Sequence, residues 1–257
     1  IRGRAREPTY LYITPNGVEF RSAEHLWGKG VFETEYILRK ETEKEAGTLI
    51  IGPGGEKMVK FATIMSEHGR AGGRTGMGAV FGSKNLKAIA VRGTGSIKIA
   101  DIKKFMDLCK QIKLMLQVRP ERKWAGQGPD LPAVYDFFGK HRKRYEACFN
   151  CPVACKWFID IPSLDGGVGK CLWYDAYIFE KADRATWVAK TLADKFGIDM
   201  YELWGMVRWL IDIHKEGIVS EEKTGIPISK GGSEEFYEVL YRKITYREGF
   251  GELLAEG

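Results

Sequence analysis

Arg70-Ala-Gly-Gly-Arg-Thr-Gly-Met-Gly-Ala-Val-Phe-Gly-Ser-Lys-Asn-Leu-Lys-Ala-Ile-Ala-Val-Arg-Gly93 changes character twice. It opens as a glycine-rich loop. Ala79 to Leu86 then reads as a short helix, and Lys87 to Arg92 as an apolar strand. Loop, helix and strand in this order indicate a mixed α/β region. The loop also carries candidate chemistry. Between His68 and Gly78, six glycines and alanines leave backbone N–H groups open to a close ligand. A helix starting there would add N–H donors for an anion. Arg70 and Arg74 add forked donors suited to phosphate. The plainer reading is a solvated loop. No Gly-Lys-Ser/Thr follows, so this is no Walker loop, and Gly73-x-x-Gly76-x-Gly78 is not the dinucleotide-binding order.

The segment before it fits the same class. Residues 10–21 read as a hairpin turning at Pro15-Asn16-Gly17. Val31 to Lys44 has helical periodicity. Thr48 to Ile51 reads as a buried strand, broken by Gly52-Pro-Gly-Gly55, and Met58 to Met65 as a second strand. Beyond Ala100 the pattern turns helical. Asp101–Val118, Asp130–Lys140, Leu172–Phe196, Met200–Glu216 and Ser233–Arg247 each read as helices. The expected fold is therefore α+β, divided into a mixed α/β part over 1–97 and a mainly helical domain over 98–257. No internal repeat or low-complexity segment interrupts it.

The chain has 257 residues, 44% of them hydrophobic and 12% aromatic, enough for a sizeable core. Forty Lys and Arg against 34 Asp and Glu give a net charge of +6. That excess suits an anionic small molecule and argues against nucleic acid. No apolar run reaches membrane-spanning length, and no signal-peptide pattern opens the chain. Ile1 stands where a Met would begin a complete protein, and Tyr10–Ile13 reads as a strand already under way. A fragment is the expectation.

Five cysteines do not make a disulfide scaffold in a chain of this size. A reducing cytoplasm is the expected compartment. Three of the five form the run Cys148-Phe-Asn-Cys151-Pro-Val-Ala-Cys155. Thiolates at this spacing can converge on one inorganic core, and Pro152 fits a helix first turn. Both a [4Fe–4S] cluster and a tetrahedral zinc need four ligands. Iron–sulfur is favoured because no histidine stands at ligand spacing. Cys109 and Cys171 stand alone. Cys171 follows Lys170 at a loop-to-helix junction, where a thiol pKa can fall; most lone cysteines are small core residues. Asp194-Lys-Phe-Gly197-Ile198-Asp199 separates two helices. Its default reading is a glycine C-cap followed by an Asp N-cap.

Together these segments resemble the aldehyde ferredoxin oxidoreductase family, tungsten (sometimes molybdenum) enzymes with two pterins and one [4Fe–4S] cluster. Arg70–Gly93 is similar to the family signature. The Cys-x2-Cys-x3-Cys run is similar to its cluster motif, and Asp194–Asp199 to its first Asp-x-x-Gly-Leu-Asp/Cys pterin motif. The likeness covers essentially the whole chain. It implies that Arg70, Ala71, Gly73 and Arg74 contact pterin rings or phosphates. It implies that Cys148, Cys151 and Cys155 hold the cluster, and that Asp194, Gly197, Ile198 and Asp199 bind a pterin. Family members are more than twice this length, so the fourth cluster cysteine is expected beyond Gly257.

The resemblance also implies a reaction class, oxidoreduction of an aldehyde or other carbonyl-type substrate (EC 1.2.7). Electrons would pass through the cluster to ferredoxin or to an iron–sulfur or flavin electron-transfer subunit, within an oligomer. Where aldehyde-oxidising members carry Glu-Tyr-Glu, this chain has Lys170-Cys-Leu-Trp-Tyr-Asp175. That variation resembles the tungsten subunit of ATP-independent benzoyl-CoA reductase, with an acyl-CoA-type substrate and Cys171 as tungsten ligand. An acid- and histidine-bearing insert of that branch is not evident between Arg119 and Ala147. The reading from a different class is a non-catalytic iron–sulfur electron-transfer subunit, against which the Arg70 segment argues.

Overall fold

The computed structural model describes residues 1–66, 69–118, 132–147, 156–164, 166–169 and 181–257. Two compact units divide the chain, Ile1–Gly93 with Ile178–Gly257, and Thr94–Tyr177.

The first unit is built on a mixed sheet. The expected hairpin forms from β1 (Thr9–Thr14) and β2 (Gly17–Ser22), with Thr14 opposite Gly17. β3 (Gly47–Ile50), β4 (Met65–Ser66), β5 (Arg70–Ala71) and β6 (Leu86–Val91) complete the order β2-β1-β6-β3-β4-β5. Only β1 and β6 run parallel among the paired strands described. Alternation assigns the two faces, except at Leu86, where the pairing of β6 with β1 is irregular between Thr9 and Tyr10. Tyr10, Tyr12, Ile50, Ala88 and Ala90 pack with Val31 and Leu38 of α1 (Val31–Glu41). Leu11, Ile51 and Leu86 pack with Phe81 of α3 (Met77–Ser83), which follows the short α2 (Pro53–Glu56).

Three helices supply the other core of this unit: α6 (Arg184–Phe196), α7 (Met200–Lys215) and α9 (Glu234–Tyr246). Leu203, Met206, Val207 and Leu210 recur at helical spacing on α7, and Phe236, Leu240, Tyr241 and Ile244 on α9. Each fully buried side chain of this size is worth about 1.5–3 kcal/mol. Val59, Phe61 and Ala62 belong to the same cluster. This explains one departure from the sequence reading. Met58–Met65 is apolar because it packs against helices, and it is a chain of turns rather than a strand. Met58 takes a φ of 56°, and the N–H of Val59 returns to Gly54 O at 2.9 Å. Short helices α8 (Glu221–Thr224) and α10 (Phe250–Leu254) close the unit.

The second unit contains α4 (Ile102–Val118) and α5 (Pro132–His141), close to their expected positions. It also holds a three-stranded sheet that the helical reading did not anticipate. β7 (Arg142–Glu146), β8 (Lys156–Ile159) and β9 (Gly167–Gly169) pair antiparallel in that order. The strands are short, and a bulge at Lys143 breaks the alternation that would have marked β7. The first part of the expected helix Leu172–Phe196, up to residue 180, lies outside the described residues. Residues 181–183 are not helical, and α6 starts after Asp183, whose side chain caps it through the Thr186 N–H at 2.8 Å.

Candidate cofactor site

α6 ends where Gly197 turns left-handed, with φ 69°. The N–H of Ile198 reaches Ala193 O at 3.0 Å and that of Gly197 reaches Asp194 O at 3.2 Å. Asp199 then caps α7, its Oδ1 accepting from the Tyr201 N–H at 2.8 Å. The capping reading of Gly197 and Asp199 therefore describes their backbone. It does not exhaust their contacts. Thr63 N–H donates to Gly197 O at 2.8 Å, and Asp199 N–H to Phe61 O at 3.0 Å. Ala62 and Ile198 form a one-residue antiparallel bridge. A methyl on Gly52 would stand 2.3 Å from Phe196 O, so only glycine admits this approach. The turn is thus stitched onto the chain just upstream of β4.

Arg74 completes the connection from the other side. Its Nε donates to Asp199 Oδ2 at 2.7 Å and its Nη2 to Glu202 Oε2 at 3.2 Å. Its guanidinium lies 5.4 Å from the Tyr201 ring centroid. The Asp199 carboxylate pushes the Arg74 pKa still higher, by hydrogen bonding first and charge second. Two residues 125 positions apart, both named from sequence, are in direct contact.

Asp194 faces inward from α6. Its Oδ2 lies 2.7 Å from Lys190 Nζ, both side chains being buried. The same Oδ2 would be 3.1 Å from a methyl placed on Gly69, one residue before Arg70. Arg70 and Ala71 form β5, at one edge of the six-stranded sheet. Beyond it, residues 71–75 are exposed. Gly73, Thr75 and Gly76 have φ of 98°, 99° and 71°. Chain of this kind forms anion-binding concavities, and positive φ on the non-glycine Thr75 is strain of the sort that collects at ligand clamps.

Two of the donors expected at the start of α3 are already used within the chain. Gly78 N–H donates to Ala62 O at 2.9 Å, and Ala79 N–H to Gly76 O at 3.0 Å. Lys190 is the residue that sequence reading missed. Its position four before Asp194 on one helix was the available signal.

Cys148, Cys151, Cys155 and Cys171 lie outside the described residues. The strands on either side of the three-cysteine run are paired, with Glu146 opposite Lys156. Cys109 is exposed on α4. Among the described residues no helix is long and apolar enough to cross a membrane.

Residues 1–93 match the family description "Aldehyde ferredoxin oxidoreductase, N-terminal domain", and residues 133–257 match "Aldehyde ferredoxin oxidoreductase, domains 2 & 3". A tungsten-containing aldehyde ferredoxin oxidoreductase of Pyrococcus furiosus is 33% identical over 294 residues, covering 100% of this chain and 48% of that protein. The WOR-like subunit of an aliphatic sulfonate oxidoreductase from the same organism is 29% identical over 306 residues, covering 100% and 49%. A solved structure, the active site complex BamBC of benzoyl coenzyme A reductase with 1,5-dienoyl-CoA, superposes with a TM-score of 0.84 at 28% identity. It covers 99% of this chain and 45% of that one. The chain therefore spans about half the length of the relatives it matches.

Proposed function

This chain belongs to the aldehyde ferredoxin oxidoreductase family, and from that premise we propose that it is part of a tungsten–pterin, [4Fe–4S] oxidoreductase. The observation that carries the reading is the meeting of the Gly69–Gly76 segment with the Asp194–Asp199 turn. The residues fit a pterin. Its ring presents N–H donors that a carboxylate such as Asp194 can accept, and its phosphate suits the exposed positive-φ loop beside Arg70. When bound, the metal would supply two-electron redox chemistry and the cluster one-electron relay.

In this reading Asp194, with Lys190 beside it, orients the ring. Arg70, Ala71 and Gly73 hold the phosphate end. Arg74 acts by fixing Asp199 and the start of α7, since its guanidinium already serves two carboxylates. Gly197 and Ile198 set the turn. Cys148, Cys151 and Cys155 hold the cluster from the connection between β7 and β8. The division into 1–97 and 98–257, which the family match ending at residue 93 supports, then puts Arg70, Ala71 and Gly73 in the first part, and both the Asp194–Asp199 turn and the cysteine run in the second. A carbonyl-type substrate, a ferredoxin acceptor, an oligomeric complex and a cytoplasmic location belong to the same proposal.

Metal, pterin and iron analysis of the full-length protein tests it. Tungsten or molybdenum, extractable pterin and iron with acid-labile sulfide are expected. Asp194→Asn should lower pterin and metal content while leaving iron in place, and Cys151→Ser should lower iron. A native protein holding zinc and no pterin would refute the reading.

A second reading has its own support, the superposition on the benzoyl coenzyme A reductase complex with Lys170-Cys171 in sequence. Cys171 would then be a soft thiolate ligand to tungsten, and the substrate an acyl-CoA. Cys171→Ser should change the metal spectrum of the full-length protein; unchanged tungsten content and spectrum would exclude that ligand.

A further inference from the structure

Immediately before the cysteine run the chain reads Lys140-His-Arg-Lys-Arg-Tyr-Glu146, four cations against one carboxylate. These residues close α5 and form β7, one of the two edge strands of its sheet. Lys143 and Arg144 are 59% and 55% exposed, and Lys140 is exposed. Two of the guanidiniums are held on rings. Arg142 lies 4.3 Å from the Tyr145 centroid and 4.7 Å from that of Trp157, and Arg144 lies 4.1 Å from Phe158. A stacked guanidinium has less conformational freedom left to lose on binding. Local acid offsets only half of the charge, two carboxylates standing against the four cations. Glu146 pairs with Arg144 at 2.7 Å, and Asp160 stands 3.6 Å from Lys143.

We propose that β7 and the end of α5 form the docking surface for an acidic electron-carrier protein. The inference rests on the reading that the following cysteines hold a cluster. Its own content is the place and the charge. Glu146, the last residue of β7, stands two residues before Cys148. Chain geometry alone limits their Cα separation to about 7 Å. A carrier seated on this strand is brought beside the cluster-bearing connection. Clustered cations steer an anionic partner and raise the association rate, an effect that salt suppresses. Cations on an edge strand also deter strand-to-strand association. That role alone predicts a change in aggregation and none in carrier affinity.

The test measures binding of a purified acidic bacterial ferredoxin to the full-length holoenzyme by calorimetry, at low and high salt. Lys140→Gln/Lys143→Gln/Arg144→Gln should raise Kd about tenfold at low salt and flatten the salt dependence. Lys140→Gln/Lys143→Gln, which leaves every ring stack in place, should show the same trend at smaller size. The control is Lys103→Gln/Lys110→Gln/Lys113→Gln, the same charge change on exposed positions of α4; it should move Kd less than twofold. Equal effects from both triples, salt-independent binding, or altered aggregation with unaltered Kd would overturn the inference. Iron analysis of the wild type separates the two failures. A protein without a cluster refutes the proposed function, whereas an intact cluster with unaltered Kd refutes only the docking surface.

Discussion

Lys87 and Glu56 form the most deeply buried ion pair among the described residues, at 0% and 3% exposure and 2.5 Å. Lys87 Nζ also donates to Lys29 O at 2.8 Å, and Glu56 Oε2 accepts from the Gly28 N–H at 2.8 Å. The pair joins β6, α2 and the turn before α1. Burial pulls the Lys87 pKa below the ordinary lysine value, with Glu56 pulling it back. Taking both charges out of water is costly, and their attraction roughly offsets that cost. Replacing one partner leaves the other buried and charged. Lys87→Met should therefore destabilise by about 3–5 kcal/mol. In a unit of this size that lowers Tm by roughly 6–20 °C. Lys87→Met/Glu56→Gln should cost much less than the sum of the single changes, because neither residue is then charged and the glutamine oxygen still accepts from Gly28. Calorimetric unfolding of the wild type, both single variants and the double variant closes the cycle. Additivity within about 0.5 kcal/mol would refute the reasoning.

Three further outcomes follow from the same structure. Gly76→Ala should cost more than about 2 kcal/mol, since its methyl would meet Lys60 O at 2.1 Å and its φ is 71°; Gly73→Ala, with open space around it, should cost only about 1 kcal/mol of backbone strain, and unfolding curves rank the two. Burial raises the Tyr237 pKa from 10.0 to about 12. The unfolded chain releases that proton first, so stability present below pH 10 is lost as pH rises towards 12, on the order of 2–3 kcal/mol, and Tyr237→Phe should flatten this alkaline slope. Tyr241 is fully buried, and its hydroxyl has no hydrogen-bond partner among the described residues; Tyr241→Phe should be neutral or stabilising by up to about 1 kcal/mol in thermal unfolding.

Local signals found the elements whose cause is local. Pro15-Asn16-Gly17 marked a turn, and Gly197 and Asp199 marked the end of one helix and the start of the next. Met58–Met65 was misread because its apolar residues answer to helices more than 120 positions away. β7 was missed because its charges and its bulge hide the alternation. The site was legible as two motifs, and sequence gave no measure of the distance between them. Lys190 needed α6 to be known before its side chain could be set beside Asp194.

Arg74 shows how the structure refines a residue role that sequence assigned by type. A loop arginine among glycines reads as a phosphate donor. Here it is 58% exposed, yet both of its ends are engaged by Asp199 and Glu202. For stability an exposed pair of this kind is worth at most about 1 kcal/mol. Its consequence for the site is larger than that energy implies, because Asp199 uses its second oxygen to cap α7. Arg74 thus ties the loop, the cap and the helix into one arrangement, and a ligand contacting any of the three meets a surface already fixed by the other two. Arg74→Gln should therefore leave Tm nearly unchanged and lower pterin content. A variant with wild-type pterin content would assign the ordering of the site to the Gly52 and Gly76 contacts alone.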